Sequence, residues 1–493
     1  MGIARTSLGY PAFVIGEIPA HENLPGALPS SDSSASADPA MMRRIRAWLS
    51  GPGLGPQVVA ALAGSAGVRM AGLGLGFLVG VQLARGLGPA GYGVYGSAMA
   101  VLSVLMIPTH LGLPELITRE VASALAAGGG GATAVIVKWG RKAILVSSVL
   151  IAGALAFAMA FGLLADEPAL SSTLMIGALW IPAVAFGKLY GAALRGTDHI
   201  ALGQLGEFLI SPVLVSLLLF LFSTIASSRF DPAAAMWINV FAATVAAVTM
   251  MALLKRVGAG KGSTEIPDGL RFSHALPMAG SEGMRVLGGQ LGTLILAAMV
   301  SKHEVGWYRV ALGIYTVTTM PAALVSVACA PIVSRLHTQA RTQQLAKLNI
   351  YTSVFLIVPA AFFFLVNVLF GREAISLVFG APYAPASNVL TIFLGGELLA
   401  SLFGFPTSVL NMMRQQRVVV SWAAVALIIN FIVAIALVHE LGYTGAAYGS
   451  VVSLIVWRAG CGIFAKWRLG MDTAMATLLI PSSGRRRLTD GRT

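Results

Sequence analysis

Charge is what this sequence has least of. Only 11% of its 493 residues are Asp, Glu, Lys or Arg, against 56% that are hydrophobic, and the mean hydropathy is +0.81. A water-soluble domain carries about 25% charged residues, so this chain cannot cover itself with a surface that water wets. Cysteine is nearly absent as well. Cys329 and Cys461 are the two present, both in apolar stretches, which excludes a disulfide framework or a thiolate metal site and leaves two small buried hydrophobes. Catalytic signatures are missing too. The sequence has no phosphate loop of the nucleotide-hydrolase type and no HExxH. No loop between apolar blocks exceeds about 30 residues, too little for a soluble catalytic domain.

What the sequence does have is apolar residues in blocks of about 20 or more, the length that crosses a hydrocarbon core of roughly 30 Å. The blocks predict helices near 57–84, 91–111, 139–164, 169–191, 203–226 and 233–254, then near 273–300, 305–333, 346–370, 385–410, 418–439 and 444–465. The expected fold is an all-α integral membrane protein of about twelve transmembrane helices. They form two six-helix halves, residues 56–254 and 272–468, around a central cavity. Residues 1–55 are rich in Pro, Ser and Ala and have no basic segment leading into an apolar one. They read as a disordered cytoplasmic tail, not a signal peptide, and Met41 would make a credible alternative start. Residues 255–271 read as a cytoplasmic linker and 469–493 as a basic cytoplasmic tail.

The net charge of +13 would suggest a nucleic-acid partner in a soluble protein. Here the cations lie between apolar blocks instead. About 24 of the 33 Lys and Arg residues fall on the side of the two termini and about 4 on the other, with the rest inside helices. That bias puts both termini in the cytoplasm; the expected location is a bacterial inner membrane, with no nucleic-acid partner.

The chain repeats itself. Gly64–Gly76 reads GSAGVRMAGLGLG and Gly280–Gly292 reads GSEGMRVLGGQLG, identical at seven of thirteen positions, with Arg69 matching Arg285. After a three-residue shift, Tyr92-Gly93-Val94-Tyr95 answers Val305-Gly306-Trp307-Tyr308, and Pro108 then falls on Pro321. An even number of helices per half gives both halves the same orientation. A pseudo-twofold axis along the membrane normal is therefore expected, with a transport path at the interface.

Arg69 and Arg285 sit near the middle of their helices, where a guanidinium is costly unless it faces protein, water or an anion. Two readings stand. In one, both arginines line a shared cavity, where their planar forks suit phosphate or pyrophosphate oxygens. In the other they are structural ion pairs, with Glu282 one turn from Arg285 and an alanine, Ala66, at the matching place beside Arg69. Glu207 and Glu397 are candidates for holding a coupling proton or cation, or for plain charge balance, Glu397 with Arg458. Lys188 is expected to snorkel. Pro108, Pro182, Pro212, Pro321 and Pro359 interrupt apolar helices and permit kinks.

The segment Leu83–Tyr95, LARGLGPAGYGVY, resembles the A-R-x-L-G-P-x-x-Y-G-x-Y element of bacterial polysaccharide and O-antigen flippases, the polysaccharide transporter branch of the multidrug/oligosaccharidyl-lipid/polysaccharide exporter superfamily. Gly112–Ala122, GLPELITREVA, is similar to the family's stretch ending in R-E-V-A. Ala193-Leu194-Arg195-Gly196 with Gly203-Gln204 and Glu207, and Gly442–Ala447, are similar as well. The resemblance spans residues 57–468 and leaves both tails unmatched. It implies movement of a polyprenyl-pyrophosphate-linked oligosaccharide repeat between leaflets by alternating access, with membrane lipids, a polysaccharide polymerase and chain-length or export machinery as partners. No cofactor is implied beyond coupling to a proton or sodium gradient, and no metal. In such a scheme Arg119 and Glu120 are gate candidates, or a plain helix-terminal ion pair. The alternatives are a drug/cation antiporter of the same superfamily, a lipid II flippase, and a membrane-embedded sugar-modifying enzyme.

Overall fold

The computed structural model describes residues 54–469 except 111, 128–130, 163–166, 226–229, 259–271, 323–328, 330–332, 334–341, 405 and 414. The two expected tails and most of the expected linker lie outside the described residues. Every regular element among the described residues is helical.

The first element, α1 (Leu54–Leu105), is two helices fused across Gly88, whose φ of 66° and ψ of 174° belong to no helix. Only glycine adopts that backbone cheaply, and Pro89 then supplies a preset φ for the first residue of the next segment. The chain reverses there. Tyr92 Oη comes within 3.7 Å of where a Cβ on Gly80 would stand, whereas twelve residues of unbroken helix would span about 18 Å. The two predicted passes are thus the arms of one hairpin.

There follow α2 (Ile107–His110), α3 (Leu113–Ala126), α4 (Ala132–Ala160), α5 (Pro168–Gly196), α6 (Leu202–Leu205), a π turn (Gly206–Ile210), α7 (Ser211–Ile225) and α8 (Pro232–Val257). The second half contains α9 (Phe272–Met299), α10 (Lys302–Thr318), α11 (Thr342–Phe379), a 3₁₀ turn (Ala381–Tyr383), α12 (Ala386–Ser401), α13 (Pro406–Met412), α14 (Gln416–Leu441) and α15 (Tyr443–Leu469). Among the described residues eight segments are long and apolar enough to cross a membrane, the first of them running through the α1 hairpin.

Three elements depart from the sequence reading. The stretch after the second predicted helix was expected as a loop, yet α3 is an amphipathic helix that buries Leu113, Leu116, Ile117 and Val121. It starts from Gly112 in the left-handed region, φ 69°, with Pro114 in its first turn. Helix α11 runs nine residues past the predicted end at 370, because Arg372 and Glu373 sit exposed on a helix face instead of breaking it. The tenth predicted pass ends at Ser401, and 406–412 form a separate short helix.

The two halves pack by one plan. In the first, α5 lies against α4 and α8, and α7 against α8; in the second, α12 lies against α11 and α15, and α14 against α15. The symmetry is sharpest where the halves meet. A Cβ on Gly93 would strike the Lys302 carbonyl, and a Cβ on Gly306 would strike the Pro89 carbonyl. In the register of the repeat Gly93 matches Gly306 and Pro89 matches Lys302, so these are two copies of one contact, as a twofold axis requires. The largest buried apolar cluster spans both halves, from Leu83, Tyr92 and Leu102 to Tyr308, Tyr383 and Phe393. Outward, Val149, Leu150 and Phe157 on α4, Phe362 and Leu369 on α11, and Ile428 and Ile432 on α14 stay exposed. That apolar exterior fits a lipid solvent.

Candidate functional site

The halves are tied together at the hairpin end of α1. Arg85 donates from Nε to the Val378 carbonyl (2.8 Å) and from Nη2 to the Leu377 carbonyl (2.5 Å). These are among the last carbonyls of α11, which have no intrahelical donor and carry the negative end of the helix dipole, so a guanidinium fork suits them. Tyr383 donates to the Ala84 carbonyl (2.7 Å) across the halves; within the second half, Trp307 Nε1 donates to the Pro382 carbonyl (2.9 Å) and braces the turn that carries Tyr383. Tyr383, only 1% exposed, stands edge-on to Tyr92. Deeper in, the Arg309 side chain lies over Gly96, its register mate in the other half, and Nη1 donates to Gln290 Oε1 (3.3 Å). A side chain at 96 would collide with it, so one arginine per pair of halves is all this position holds.

Away from this seal, a cavity of about 240 Å³ opens between the halves. Ser103, Met106, Ile107, Gly112 and Lys188 line it from the first half; Glu282, Arg285, Val286, Gly289 and Gln290, all on α9, line it from the second. Arg285 forks onto Glu282, with Nε to Oε2 at 2.8 Å and Nη2 to Oε1 at 2.5 Å. Its side chain nonetheless remains 71% exposed. Lys188 pairs with Glu207 on the π turn at 3.3 Å instead of reaching outward. Arg69 donates from Nε to Gln204 Oε1 (3.2 Å), Gln204 donates onward to Ser65 Oγ (2.7 Å), and the guanidinium lies 5.7 Å from the Phe208 ring centre. Lys188, Glu282 and Arg285 are thus the charged groups lining the cavity, with Glu207 paired to Lys188. Of the repeat-matched arginines, Arg285 lines the cavity and Arg69 is not among its lining residues. Arg285 has the acid partner foreseen for it, and Arg69 is held by an amide.

Glu397 lies elsewhere. It is buried inside the second half, accepting from Arg458 Nη2 (2.7 Å) on Oε1 and from the Tyr315 hydroxyl (2.7 Å) on Oε2. Charge balance with Arg458 is thus realised. Beside it is an enclosed void of about 20 Å³ lined by Thr318, Thr319, Pro321, Leu356 and Pro359, room for one water. The structure does not bring Glu397 and Glu207 together. Arg119 and Glu120 pair with each other, Nη2 to Oε1 at 2.9 Å, within α3 and not across the halves, as a local ion pair. Among the described residues no cluster of His, Cys, Asp or Glu has the arrangement of a metal site.

Sequence reasoning missed Tyr383, with Trp307 bracing its turn, and Arg309, the side chains of the closed end. The first two were visible only as an aromatic in a short APYAP turn and as one position of the repeated motif.

Residues 63–337 match the family described as polysaccharide biosynthesis protein. The chain belongs to that family. A similar curated protein is the probable low-salt glycan biosynthesis flippase Agl15 of Haloferax volcanii, 24% identical over 405 residues that cover 78% of each chain. Among solved structures, an inward-facing multidrug resistance MATE family transporter of the MOP superfamily is similar with a TM-score of 0.68 at 13% identity, covering 82% of this chain and 98% of its own. The lipid II flippase MurJ in an inward closed conformation is similar with a TM-score of 0.62 at 12% identity, covering 83% of this chain and 87% of its own. The polysaccharide biosynthesis family member described here thus has the helical transporter fold of that superfamily: about twelve membrane helices in two related halves around a cavity.

Proposed function

We propose that this protein flips a lipid-linked glycan, a polyprenyl-pyrophosphate-linked oligosaccharide repeat, across a bacterial inner membrane for surface polysaccharide biosynthesis. The observation that carries the reading is the charged cavity between two halves that are sealed at one end. Arg285 reaches into it with most of its side chain exposed and Lys188 lines it, while Arg69, the repeat mate of Arg285, would meet the substrate along its path. A pyrophosphate can compete for the Arg285 fork against Glu282, since both offer paired oxygens to a planar donor. The sugars would occupy the wet cavity while the polyprenyl chain stays in lipid. With both termini in the cytoplasm, as the Lys/Arg bias argues, the cavity lies toward the cytoplasmic end and the Arg85–Tyr383 seal toward the outside. Substrate entry from within, parting of the seal and closure behind the substrate make one cycle of alternating access. The family, the Agl15 relative and the transporter fold support this reading.

A gradient of protons or sodium is the proposed drive, because the sequence carries no nucleotide-hydrolysis motif. Glu207 is the better-placed of the two coupling candidates: it shares the cavity neighbourhood and holds Lys188, so protonating it would release a cation. Glu282 would act through its hold on Arg285. The antiporter alternative draws support from the MATE-like fold and from two carboxylates at the cavity, Glu282 in its lining and Glu207 on Lys188. The two readings part in reconstituted vesicles, where the flippase moves a polyprenyl-pyrophosphate oligosaccharide and the antiporter exchanges an organic cation for protons or sodium instead.

A further inference from the structure

A second cationic site lies outside the cavity between the halves. On the first half, a groove of about 530 Å³ is walled by α4 and α8 over a floor from α5. Its charged lining is Lys138, Arg141 and Lys142 from α4 and Lys255 from α8, with no acid among its lining residues. Among the described residues these four cations have no ion-pair or hydrogen-bond partner, and all four are exposed. The α4 cations fall at i, i+3 and i+4, one helix face, which continues into Leu145 and Val149, 50% and 70% exposed. At the head of the groove is the first turn of α4, with Thr133 and Ala134 in the lining. Amides of a helix's first turn have no intrahelical acceptor and favour an anion. Thr133 is 1% exposed, and its hydroxyl is buried without a partner among the described residues, an unusual cost for a polar group unless something completes it.

Depth in the bilayer selects the class of anion. Helix α4 has 29 residues, about 43 Å, which overshoots a hydrocarbon core of roughly 30 Å. Its cations begin about 9 Å from its start, at headgroup level, while Leu145 and Val149 lie where acyl chains run. A soluble anion would have no use for that apolar continuation; a phosphate-headed lipid fills both parts at once. We propose that this groove binds the headgroup of an anionic membrane phospholipid, its phosphate held by Arg141, Lys138, Lys142 and Lys255 and one acyl chain laid along Leu145 and Val149. Basic pockets between membrane helices bind such headgroups in this manner.

The test is native mass spectrometry of the intact protein released from detergent with phosphatidylglycerol or phosphatidylcholine. Wild type is compared with Lys138→Gln/Arg141→Gln/Lys142→Gln/Lys255→Gln and with the milder Arg141→Gln/Lys255→Gln, which serves alone should the quadruple variant fail to elute as a single species. Wild type should retain phosphatidylglycerol in preference to phosphatidylcholine. Each cation removed should weaken that retention on the order of fivefold, about 25-fold for the pair, with phosphatidylcholine unaffected. Equal retention of both lipids by wild type, or an unchanged preference in the variants, overturns the proposal. So does displacement of phosphatidylglycerol by inorganic phosphate, which would mark a soluble-anion site, or by an equal amount of polyprenyl phosphate, which would mark an entry port for the transported lipid.

Discussion

Replacing Gly306 with alanine should open the sealed end. A Cβ there would stand 3.0 Å from the Pro89 carbonyl carbon and 3.2 Å from its Cα, with the carbonyl oxygen nearer still. All three atoms are backbone at the start of a helix, so no rotamer change relieves the clash and the halves must separate. Overpacking of this kind costs typically 1–3 kcal/mol. The cost is borne only by the state in which Gly306 and Pro89 touch, so it shifts the ratio of open to closed by about 5- to 150-fold. Gly93→Ala meets the Lys302 carbonyl carbon at 2.7 Å and should act in the same direction. Because either substitution already parts the same contact, the double variant should shift the ratio by less than the product of the singles. The assay is the labelling rate of a single cysteine at Ala84, 0% exposed and under the Tyr383 hydroxyl, in a Cys329→Ala/Cys461→Ala background. Labelling by an impermeant maleimide should rise in proportion to the open fraction. Gly288→Ala, whose Cβ would meet nothing within 4 Å, should leave it unchanged. If Gly306→Ala and Gly93→Ala both label at the parent rate while the protein stays folded, the twofold contact does not hold the halves together.

Arg85→Lys keeps the charge but cannot reach two carbonyls at once; the lost charge-assisted bond, roughly 1.5–3 kcal/mol, should raise Ala84 labelling by about tenfold or more. Within the second half, Glu397→Gln or Arg458→Met should each lower the melting temperature, since breaking a buried pair costs about 3–5 kcal/mol. Combining the two should restore part of the loss, and an additive double variant would refute the pairing. Gln204→Leu removes the amide that links Arg69 to Ser65. Glycan flipping should fall with thermal stability nearly kept, whereas unchanged flipping would make the Arg69–Gln204 contact incidental.

Much of this architecture was legible because lipid is an unforgiving solvent. Backbone groups in a membrane have to be satisfied within helices, so apolar block length and small-residue repeats carry the fold. The repeat was the most informative signal: the matched Gly93 and Gly306 became the pseudo-twofold contact. Its three-residue shift can also be placed. Both halves turn in the same register, at the non-helical Gly88 before Pro89 and at Ser301 before Lys302, where Ser301 and Glu304 form a capping box, so the three extra residues lie in the first arm, between Gly76 and the turn. What stayed illegible depended on tertiary pairing or on local geometry with no composition of its own. Lys188 and Glu207 are neighbours because a π turn at Gly206–Ile210 carries Glu207 toward α5, and such turns leave no sequence pattern. The charged face of α3 and the Arg372-Glu373 step in α11 read as loop because charge was taken for an end of the membrane span. Tyr383 sat in a turn, where burial is not expected.

The most direct test of the account is flipping of a polyprenyl-pyrophosphate oligosaccharide in proteoliposomes by wild type, Arg69→Ala, Arg285→Ala and the double variant, each checked for insertion and monodispersity. The cavity reading predicts transport by wild type, a loss of at least tenfold in Arg285→Ala, a smaller loss in Arg69→Ala and none detectable in the double variant. Wild-type rates in the double variant would make both arginines structural. A wild type that moves no such lipid, yet exchanges an organic cation against a proton or sodium gradient, would contradict the glycan flippase itself.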